Sequence, residues 1–462
     1  MRRVLAVSLL SVTFLFTRFF RIKKSLYFFN DMGRDYQVLY DWVTKHKIPF
    51  TGPQSSALPI NQSPVYFYYL RPFYLLLNGS VYSSLIASSV LYIVSFLIAL
   101  RLAKSSSILS KTVLVTFFLA IFHPQVILQN RFIWNPSLLL PLLFLSLLLF
   151  FLHIKNNQKK YLFFSILLIN LAISLNYSVL PLLIMYLFVF LLRKPENRFS
   201  FIKYVLVTFV FLNLPAIIQT AKRFLTTGVI VSQNQIFQTG SSVNQKIIDS
   251  INYILGINTI LVGGFLLVCI LSLAVFQSCS SKSTLIKISA RIFLGTYLLT
   301  LLSPFNIQAH YVFAVLASLL VFISLLEPKF QLPIIAIFLV FYLQPKQLVS
   351  YFKDAPRTYA QMDSCFRNFC SQFKKPLFVS VQSSLYPYHY GPEHRYLMEK
   401  NGCQVRAIEE GGSNAENMAV VLDSGSFSDK TRYYELDLFG KFKVDSRFDC
   451  QSNFGIVLLS KI

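Results

Sequence analysis

Charged side chains are scarce in this sequence, and acidic ones are the scarcest. Asp, Glu, Lys and Arg together make up 13% of the 462 residues, whereas a soluble domain has about 25%. Apolar residues make up 55% and occur in blocks of Leu, Phe and Ile that are too long for a soluble core. Blocks of roughly 17–25 apolar residues match the span of a bilayer, so the composition predicts an α-helical polytopic membrane protein.

The shortage of acids leaves a formal net charge of +24. A soluble protein with this charge would be a candidate for nucleic-acid binding. Here the basic residues lie mostly in short loops between apolar blocks, as the positive-inside rule requires. No basic surface with interleaved aromatic residues lies outside those blocks. We therefore expect the lipid bilayer as a partner, and no nucleic acid.

A signal-peptide cleavage site is also lacking. The first apolar block, residues 4–20, follows Arg2 and Arg3, but no small-residue cleavage site comes after it. We therefore predict an uncleaved first helix with a cytoplasmic N-terminus. Further apolar blocks bring the prediction to about eleven membrane spans. They cover residues 80–100, 112–128, 137–153, 161–177, 178–192, 202–220, 256–276, 287–303, 310–326 and 331–345.

The loops between these blocks form two sets that alternate along the chain. One set is basic, as in "HIKNNQKK" and "RKPENRFSFIK", and the other is poor in charge, as in "SLNYS" and "SPFNIQAH". Because basic loops stay in the cytoplasm, the second set faces outward, together with a long first loop at 21–79. We predict a transmembrane domain over 1–345, including this loop, and an extracytoplasmic domain over 346–462.

The tail of the chain differs in character from the rest. The stretches "KKPLFVSVQSSLYP", "MAVVLDSG" and "FGIVLLSKI" are short strand-like runs separated by turns. They predict a small α/β or α+β domain that is large enough for its own core.

Cysteines are few, and four of the six lie in this tail. An oxidising compartment permits disulfides there, and four cysteines allow three pairings. Of these we favour Cys365–Cys370 with Cys403–Cys450. No Cys or His cluster has zinc-binding spacing.

The first loop contains two helical patterns. In "RDYQVLYDWVTKHK", Tyr36, Leu39, Tyr40 and Val43 fall at helical spacing, which predicts a helix lying along the membrane surface. After the turn "TGP", an aromatic-rich half-helix within residues 62–77 begins at Pro64.

Two acids with an arginine between them open the first of these helices. Asp31 and Asp35 are four residues apart, so they share a face if both lie on the helix and converge near its start if Asp31 is the N-cap. A poorly hydrated carboxylate needs a partner, and Arg34 is near enough to be one. Such a carboxylate can act as a general base toward a hydroxyl. The alternative is a simple helix cap on a solvated face, with Arg34 pairing locally.

The loop resembles a known family. "NDMGRDYQVLYDWVTKHKIPFTGPQSS" and "SPVYFYYLRPFYLLLNG" are similar to the first external loop of the GT-C glycosyltransferase superfamily, in the branch that contains protein O-mannosyltransferases and the lipid A aminoarabinose transferase. "QNRFIWNPSLLLPLLFL" and "NIQAHYVFAVLASLL" resemble two later external turns, so the resemblance covers about residues 1–345. The sequence departs from the pattern at "NQS", residues 61–63, where many relatives have His-Pro or Gly. The matching first-loop positions are Asp31, Gly33, Arg34, Asp35, Gly52, Pro53, Pro64, Tyr66, Tyr68, Tyr69 and Leu70.

The resemblance implies a GT-C-like fold and an inverting glycosyltransferase. The donor would be a hexose or pentose on a polyprenyl phosphate, and the acceptor a protein, lipid or envelope glycan on the outer face. Asp31 would be the catalytic base and Asp35 a second catalytic residue. The implied substrate-binding residues in the first loop are Arg34, Tyr36, Ser63, Pro64 and Tyr66.

A metal is not demanded by the sequence. Some oligosaccharyltransferases of the superfamily use a divalent ion held by several carboxylates. The first loop offers only Asp31, Asp35 and Asp41, so we predict a metal-independent reaction that requires no cofactor.

The second external turn carries a lone arginine. Arg131, flanked by Trp134 and Asn135, lies between apolar blocks, and the guanidinium fork suits phosphate. The alternative for Arg131 is snorkelling to lipid headgroups. Trp134 would be either a sugar platform or an interfacial anchor.

Two later turns carry further candidates for phosphate binding. In relatives, the His-Tyr turn that matches His310 and Tyr311 lines the lipid-phosphate site; a simple helix cap is the alternative here. Lys222 and Arg223 are also candidates, with a solvated surface as the alternative.

Two other functions fit a polytopic chain. One is a transporter or flippase for lipid-linked glycans, which would favour internal repeats and polar residues at the membrane midplane; neither a repeat nor an acid within a span occurs here. The other is a non-catalytic scaffold for envelope assembly.

Overall fold

The computed structural model describes residues 2–53, 61–132, 134–192, 198–227, 242–303, 307–383, 391–406, 414–423, 427, 434–451 and 454–462. These residues form two compact units. The first comprises Met1–Phe20 and Pro49–Tyr351, and the second comprises Arg21–Ile48 and Phe352–Ile462.

The helices of the described residues are numbered in chain order across both units. They are α1 (Arg2–Phe19), α2 (Ile22–Ser25), α3 (Asp31–Thr44), α4 (Val65–Leu76), α5 (Ser83–Leu102), α6 (Ser107–Phe122), α7 (Pro124–Arg131), α8 (Leu139–Asn156), α9 (Lys159–Leu175), α10 (Leu180–Leu192), α11 (Arg198–Thr227), α12 (Val243–Ser250), α13 (Ile260–Ser280), α14 (Thr284–Leu302), α15 (Phe313–Leu325), α16 (Pro328–Tyr342), α17 (Pro345–Tyr351), α18 (Tyr359–Gln372), α19 (Pro392–Lys400) and α20 (Tyr434–Phe439). The strands are β1 (Phe378–Ser383), β2 (Asn417–Asp423), β3 (Phe442–Gln451) and β4 (Phe454–Lys461).

The helices of the first unit make the chain an integral membrane protein. Within the described residues, six are long and apolar enough to cross a bilayer, and up to eight spans result if each of two bent helix pairs counts as one. The predicted class is therefore confirmed, but the count of eleven is not. The apolar helix α15 shows why, since its 13 residues rise only about 20 Å, less than the roughly 30 Å of the hydrocarbon layer.

The centre of the first unit is formed by α8 and α15. Every residue of α15 is buried, and so is most of α8. By contrast, α11 exposes large apolar side chains, among them Leu206, Val207 and Phe211. In a helix of a membrane protein such an exposed apolar face is the side that contacts lipid.

The bend between α6 and α7 orients the turn that follows α7. The two helix axes differ by 68°, because the residue before a proline is disfavoured in the helical conformation. His123 precedes Pro124 and is extended, with φ −65° and ψ 126°. Its Nδ1 accepts from the Gln125 backbone N–H at 3.2 Å and so caps α7. The bent pair delivers Arg131 to the end of α7.

The second unit contains a four-stranded sheet in the order β1-β2-β4-β3. β1 and β2 are parallel, whereas β4 is antiparallel to both of its neighbours, β2 and β3. An apolar core that includes Phe378, Val420 and Leu459 lies against this sheet. The small sheet domain predicted for the tail is therefore present.

The helix predicted in the first loop is also present, as α3, but protein covers its apolar face. Tyr36 and Leu39 are buried within the second unit, and the Tyr36 ring centroid lies 5.8 Å from that of Tyr396. The prediction that this helix lies on the membrane surface through its apolar face is therefore wrong. The apolar face packs within the second unit. Helical periodicity shows that a face is apolar without showing what covers it.

The disulfides differ from the favoured pairing. The structure joins Cys365 to Cys450 and Cys370 to Cys403. Cys365 and Cys370 both lie on α18, where a separation of five residues turns their side chains about 140° apart around the helix axis. Each therefore pairs with a cysteine outside the helix.

Candidate active site

The acid–arginine–acid group forms one ion-paired cluster at the start of α3. The Arg34 Nη1 donates to the Asp31 Oδ1 at 2.7 Å. Its Nε and Nη2 donate to the Asp35 Oδ1 at 2.9 and 2.8 Å. The Asp35 side chain is 1% exposed and the Asp31 side chain 28% exposed. Arg34 thus holds a solvent-accessible carboxylate in place by anchoring it to a buried one.

Asp31 also lies at the end of the helix that attracts negative charge. Asp31 is the first residue of α3, and the positive end of the helix dipole stabilises negative charge in the first turn. A fixed, accessible carboxylate of this kind can accept a proton from a hydroxyl that reaches it.

Gly33 lets another helix approach the cluster closely. A Cβ atom at Gly33 would lie 2.2 Å from the Glu393 Cα, far inside van der Waals contact. Glu393 belongs to α19, so α3 and α19 touch through their backbones at this point. The glycine between the two acids of the motif is therefore required by packing.

Tyr36, predicted to bind substrate, lies in an aromatic cluster of the second unit. It is 1% exposed, and its ring centroid lies 6.0 Å from that of Phe28 and 5.8 Å from that of Tyr396. These contacts give Tyr36 a packing role that accounts for its place in the motif.

In the first unit, a polar cluster unites several other predicted residues. The Asn135 Nδ2 donates to the Gln62 Oε1 and to the Leu175 carbonyl, both at 2.6 Å. The Trp134 Nε1 donates to the Gln129 Oε1 at 2.7 Å. The His310 ring lies edge-on to Trp134, with 4.5 Å between ring centroids. Residues from four separate segments of the chain thus meet here.

Ser63 joins this region through the backbone. Its N–H donates to the Ser174 carbonyl at 3.1 Å, and its Oγ donates to the Leu212 carbonyl at 2.6 Å. A Cβ at Gly52 would lie 2.2 Å from the Ser63 carbonyl oxygen, which explains the glycine of the "GP" motif. Pro64 then caps α4, on which Tyr66 is buried.

Gln62 and Gln129 are members of this cluster that the sequence did not indicate. Gln62 lies within the stretch that departs from the family pattern, and Gln129 lies within the turn motif that contains Arg131. Gln62 is bonded by Asn135, which is distant in sequence. Gln129 is bonded by Trp134, which is mostly apolar. No local pattern in the sequence marks either glutamine.

Arg131 is directed to the end of α1. Its guanidinium donates to the carbonyls of Thr17, Arg18 and Phe20 at 3.2, 2.9 and 3.1 Å. A cation at a helix C-terminus satisfies terminal carbonyls and complements the helix dipole. The structure therefore gives Arg131 a capping role, and its phosphate-binding role stays a prediction.

The remaining candidates are placed as follows. Burial lowers the pKa of His310 to about 3, so its ring is neutral near pH 7 and offers a single N–H donor. The Tyr311 ring centroid lies 4.1 Å away. Lys222 is exposed on α11, and the Arg223 side chain lies outside the described residues.

One group in the second unit has the composition of a metal site. Glu393, His394 and Asp423 offer ligand atoms within 4.8 Å of one another. However, the Arg357 guanidinium donates to the Asp423 carboxylate at 2.6 and 2.8 Å and to the Glu393 Oε1 at 3.0 Å. It thus lies where a cation between the carboxylates would bind. Metal independence of the reaction stays a prediction.

Two solved structures align with nearly the whole chain. Both are crystal structures of ArnT from Cupriavidus metallidurans, one bound to undecaprenyl phosphate and one in the apo state. Their TM-scores are 0.63 and 0.62, over 98% and 99% of this chain and 97% of the ArnT chain. The chain has the fold of ArnT.

ArnT is an aminoarabinose transferase, which lies in the branch indicated by the first-loop motifs. The match with ArnT also extends through the C-terminal sheet domain, which the motifs did not reach. The identity is 10% and 12% in the two alignments, so the likeness to ArnT establishes the fold alone. No protein-family model and no curated protein matches this sequence.

Proposed function

We propose that the protein is a GT-C glycosyltransferase that moves a sugar from a polyprenyl phosphate to an acceptor hydroxyl on the outer face of the membrane. The supporting observation is the near full-length fold of ArnT, whose structure holds undecaprenyl phosphate, in a chain whose first-loop acids are fixed by Arg34. The predicted partner is accordingly a polyprenyl-phosphate-linked sugar.

The reaction needs one proton acceptor and one leaving group. The acceptor oxygen attacks the anomeric carbon of the sugar while the bond from that carbon to the phosphate oxygen breaks. The bonding pair stays on the phosphate, and the proton of the acceptor hydroxyl passes to the Asp31 carboxylate. Attack opposite the leaving group inverts the anomeric configuration.

Asp35 and Arg34 act on Asp31 in this proposal. The buried Asp35 carboxylate neutralises Arg34 and fixes its plane, and Arg34 in turn orients Asp31. The departing phosphate needs donors or cations. For that role we retain the candidates drawn from the sequence: Arg131, Lys222, His310 and Tyr311.

The outer face is proposed from the alternation of basic and charge-poor loops. Basic loops would lie in the cytoplasm with the N-terminus, and the first loop and the sheet domain outside. A reporter tag inserted next to Lys47 tests this arrangement. The proposal predicts labelling by an impermeant reagent, and labelling only after permeabilisation would contradict it.

The catalytic assignment is tested with two carboxylates of one helix. Purified protein is incubated with undecaprenyl phosphate carrying a radiolabelled sugar, with several sugars tested in parallel. Loss of a general base typically costs about 10²–10⁴-fold in rate, so we expect Asp31→Asn to lose transfer and hydrolysis to that extent.

Asp41→Asn is the matched control. Asp41 lies on the same helix and bonds Gln37 and Lys45 at 2.8 and 2.9 Å, so its substitution should leave activity largely intact. Equal activity of wild type, Asp31→Asn and Asp41→Asn would reject Asp31 as the base.

A further inference from the structure

A buried arginine of the second unit reaches the backbone just before the acidic motif. Arg357 is 3% exposed. Its Nε and Nη2 hold both oxygens of Asp423, and Nη2 also donates to Glu393. Its Nη1 donates to the Phe28 carbonyl at 3.1 Å. One guanidinium therefore joins two buried carboxylates to a backbone carbonyl three residues before Asp31.

The chain between Phe28 and Asp31 makes an unfavourable turn. Asn30 precedes α3 with φ 35° and ψ −100°, and its side chain makes no capping bond to the helix. Residues other than glycine rarely adopt positive φ, and such a conformation persists only where its surroundings enforce it. The turn into α3 therefore needs external support.

Contacts on both sides of the turn supply this support. On one side, Arg357 holds the Phe28 carbonyl. On the other, the Glu393 backbone lies against Gly33, at a distance that excludes a Cβ atom. Glu393 is also bonded by Arg357, so one connected group fixes the chain before and after Asn30.

Helix α3 is fixed further along as well. The Gln37 Nε2 donates to the Glu399 Oε2 at 2.6 Å, and Lys45 forms an ion pair with Glu399. Glu399 lies on α19, like Glu393. The later part of α3 is therefore held by Glu399. The first turn of α3, which carries Asp31, is held instead through the group that Arg357 connects.

We infer that Arg357 is a positioning residue for glycosyl transfer: through the Phe28 carbonyl and Glu393 it holds the turn at Asn30 and so sets the place of the Asp31 carboxylate. This inference rests on the proposed function. Its physical basis is that a misplacement of about 1 Å in a catalytic group can cost about 10²-fold in rate.

Arg357→Lys tests the inference with the charge retained. Lysine can still pair with a carboxylate, but its ammonium lacks the planar fork that reaches two carboxylates and a carbonyl together. We expect kcat for undecaprenyl-phosphate sugar to fall about tenfold or more, while KM stays within about twofold, since the donor is still bound.

Arg395→Lys is the matched control. Arg395 is similarly buried in the same unit, and it donates to the carbonyls of Val379 and Arg406. Its substitution should lower the melting temperature about as much as Arg357→Lys but leave kcat unchanged. The same kcat in both variants, whether unchanged or lowered together with the melting temperature, would overturn the inference.

Two more variants separate the possible failures. If wild type neither transfers nor hydrolyses the sugar, the proposed function fails and the inference fails with it. If Asp31→Asn is as active as an active wild type, the assignment of Asp31 as the base and this inference fail, while the transferase function stands. If Asp31→Asn is inactive and Arg357→Lys is fully active, the inference alone fails. Should Arg357→Lys not fold, Asp423→Asn weakens the same link with a smaller change. A lower kcat at constant KM is then expected, and an unchanged kcat would overturn the inference.

Discussion

At the scale of single residues, what distinguishes Asp31 is its partner. Asp41 lies on the same helix, yet only Asp31 is tied through Arg34 to a carboxylate that is 1% exposed, that of Asp35. Ion pairs between residues within five positions can be predicted from sequence, and the acidic motif indicated the group of Asp31, Arg34 and Asp35. The contacts of Asn135 with Gln62 and of His310 with Trp134 join distant segments, so no local pattern could predict them.

At this scale, His310 makes the stability of the folded protein depend on pH. Burial lowers the pKa of His310 to about 3, below the ordinary value of about 6.5. Between these two values the unfolded chain binds a proton that the folded chain does not. This group therefore removes stability as the pH falls from about 6.5 toward 3.

His310→Phe keeps an aromatic ring against Trp134 and removes the titration. We expect its melting temperature, measured in detergent from pH 7 to pH 4, to fall less than that of wild type. Parallel curves for the two proteins would contradict the neutral, buried state of His310.

Gly33→Ala tests the close backbone approach at Glu393. The added Cβ would lie 2.2 Å from the Glu393 Cα, so backbone must move, at a cost of about 1–3 kcal/mol. We expect a lower free energy of unfolding and reduced transfer. In the control Gly264→Ala, the nearest atom to the new Cβ is at 3.7 Å, so stability should be unchanged or slightly higher. Equal stability of the two variants would contradict the packing described.

At the scale of elements, α3 shows how far periodicity leads. The spacing of Tyr36, Leu39 and Tyr40 predicted the helix and its apolar face. The surface that covers that face comes from aromatic residues more than 300 positions later, such as Tyr359 and Tyr396. A single sequence does not specify such a pairing, so periodicity alone predicts a helix on the membrane surface instead of one packed in the sheet domain.

The disulfides give a prediction for the elements of the sheet domain. The bond between Cys370 and Cys403 ties α18 to the chain after α19 and closes a separation of 33 residues. In the chain-entropy account a loop of this length contributes roughly 3–4 kcal/mol. We expect Cys370→Ser with Cys403→Ser to lower the free energy of unfolding of this domain by about that amount, measured by denaturant titration. Cys279→Ser removes a free, exposed cysteine and should change nothing. If the double variant and Cys279→Ser lose the same free energy of unfolding, the pairing of Cys370 with Cys403 is wrong.

At the scale of the whole molecule, the hydrophobic blocks predicted the class of helical membrane protein better than they predicted the number of membrane spans. Blocks such as 137–153 and 256–276 correspond to the long helices α8 and α13. Short helices such as α15, and pairs bent at proline, reduce the number of described spans to between six and eight. Block length measures apolar content, whereas crossing a bilayer also requires a straight helix of sufficient length.

The C-terminal domain shows the limit of motif-based resemblance. The motifs of the first loop and of two later turns resemble the GT-C branch only to about residue 345, whereas the ArnT fold continues through the tail. At 10–12% identity, packing and topology are retained where sequence patterns are not. The fold was therefore predictable from the segment that is richest in motifs. For the tail, the sequence predicted only the class of structure, a small domain with a sheet.

The most direct test of the account follows both products of the reaction. Wild-type protein in proteoliposomes is given undecaprenyl phosphate with a radiolabelled sugar, and free undecaprenyl phosphate and released or transferred label are quantified together. We expect the two to appear in equal amounts with wild type and to be absent with Asp31→Asn. If the wild-type protein binds or moves the donor between leaflets while the label stays on the lipid, the protein is not a glycosyltransferase.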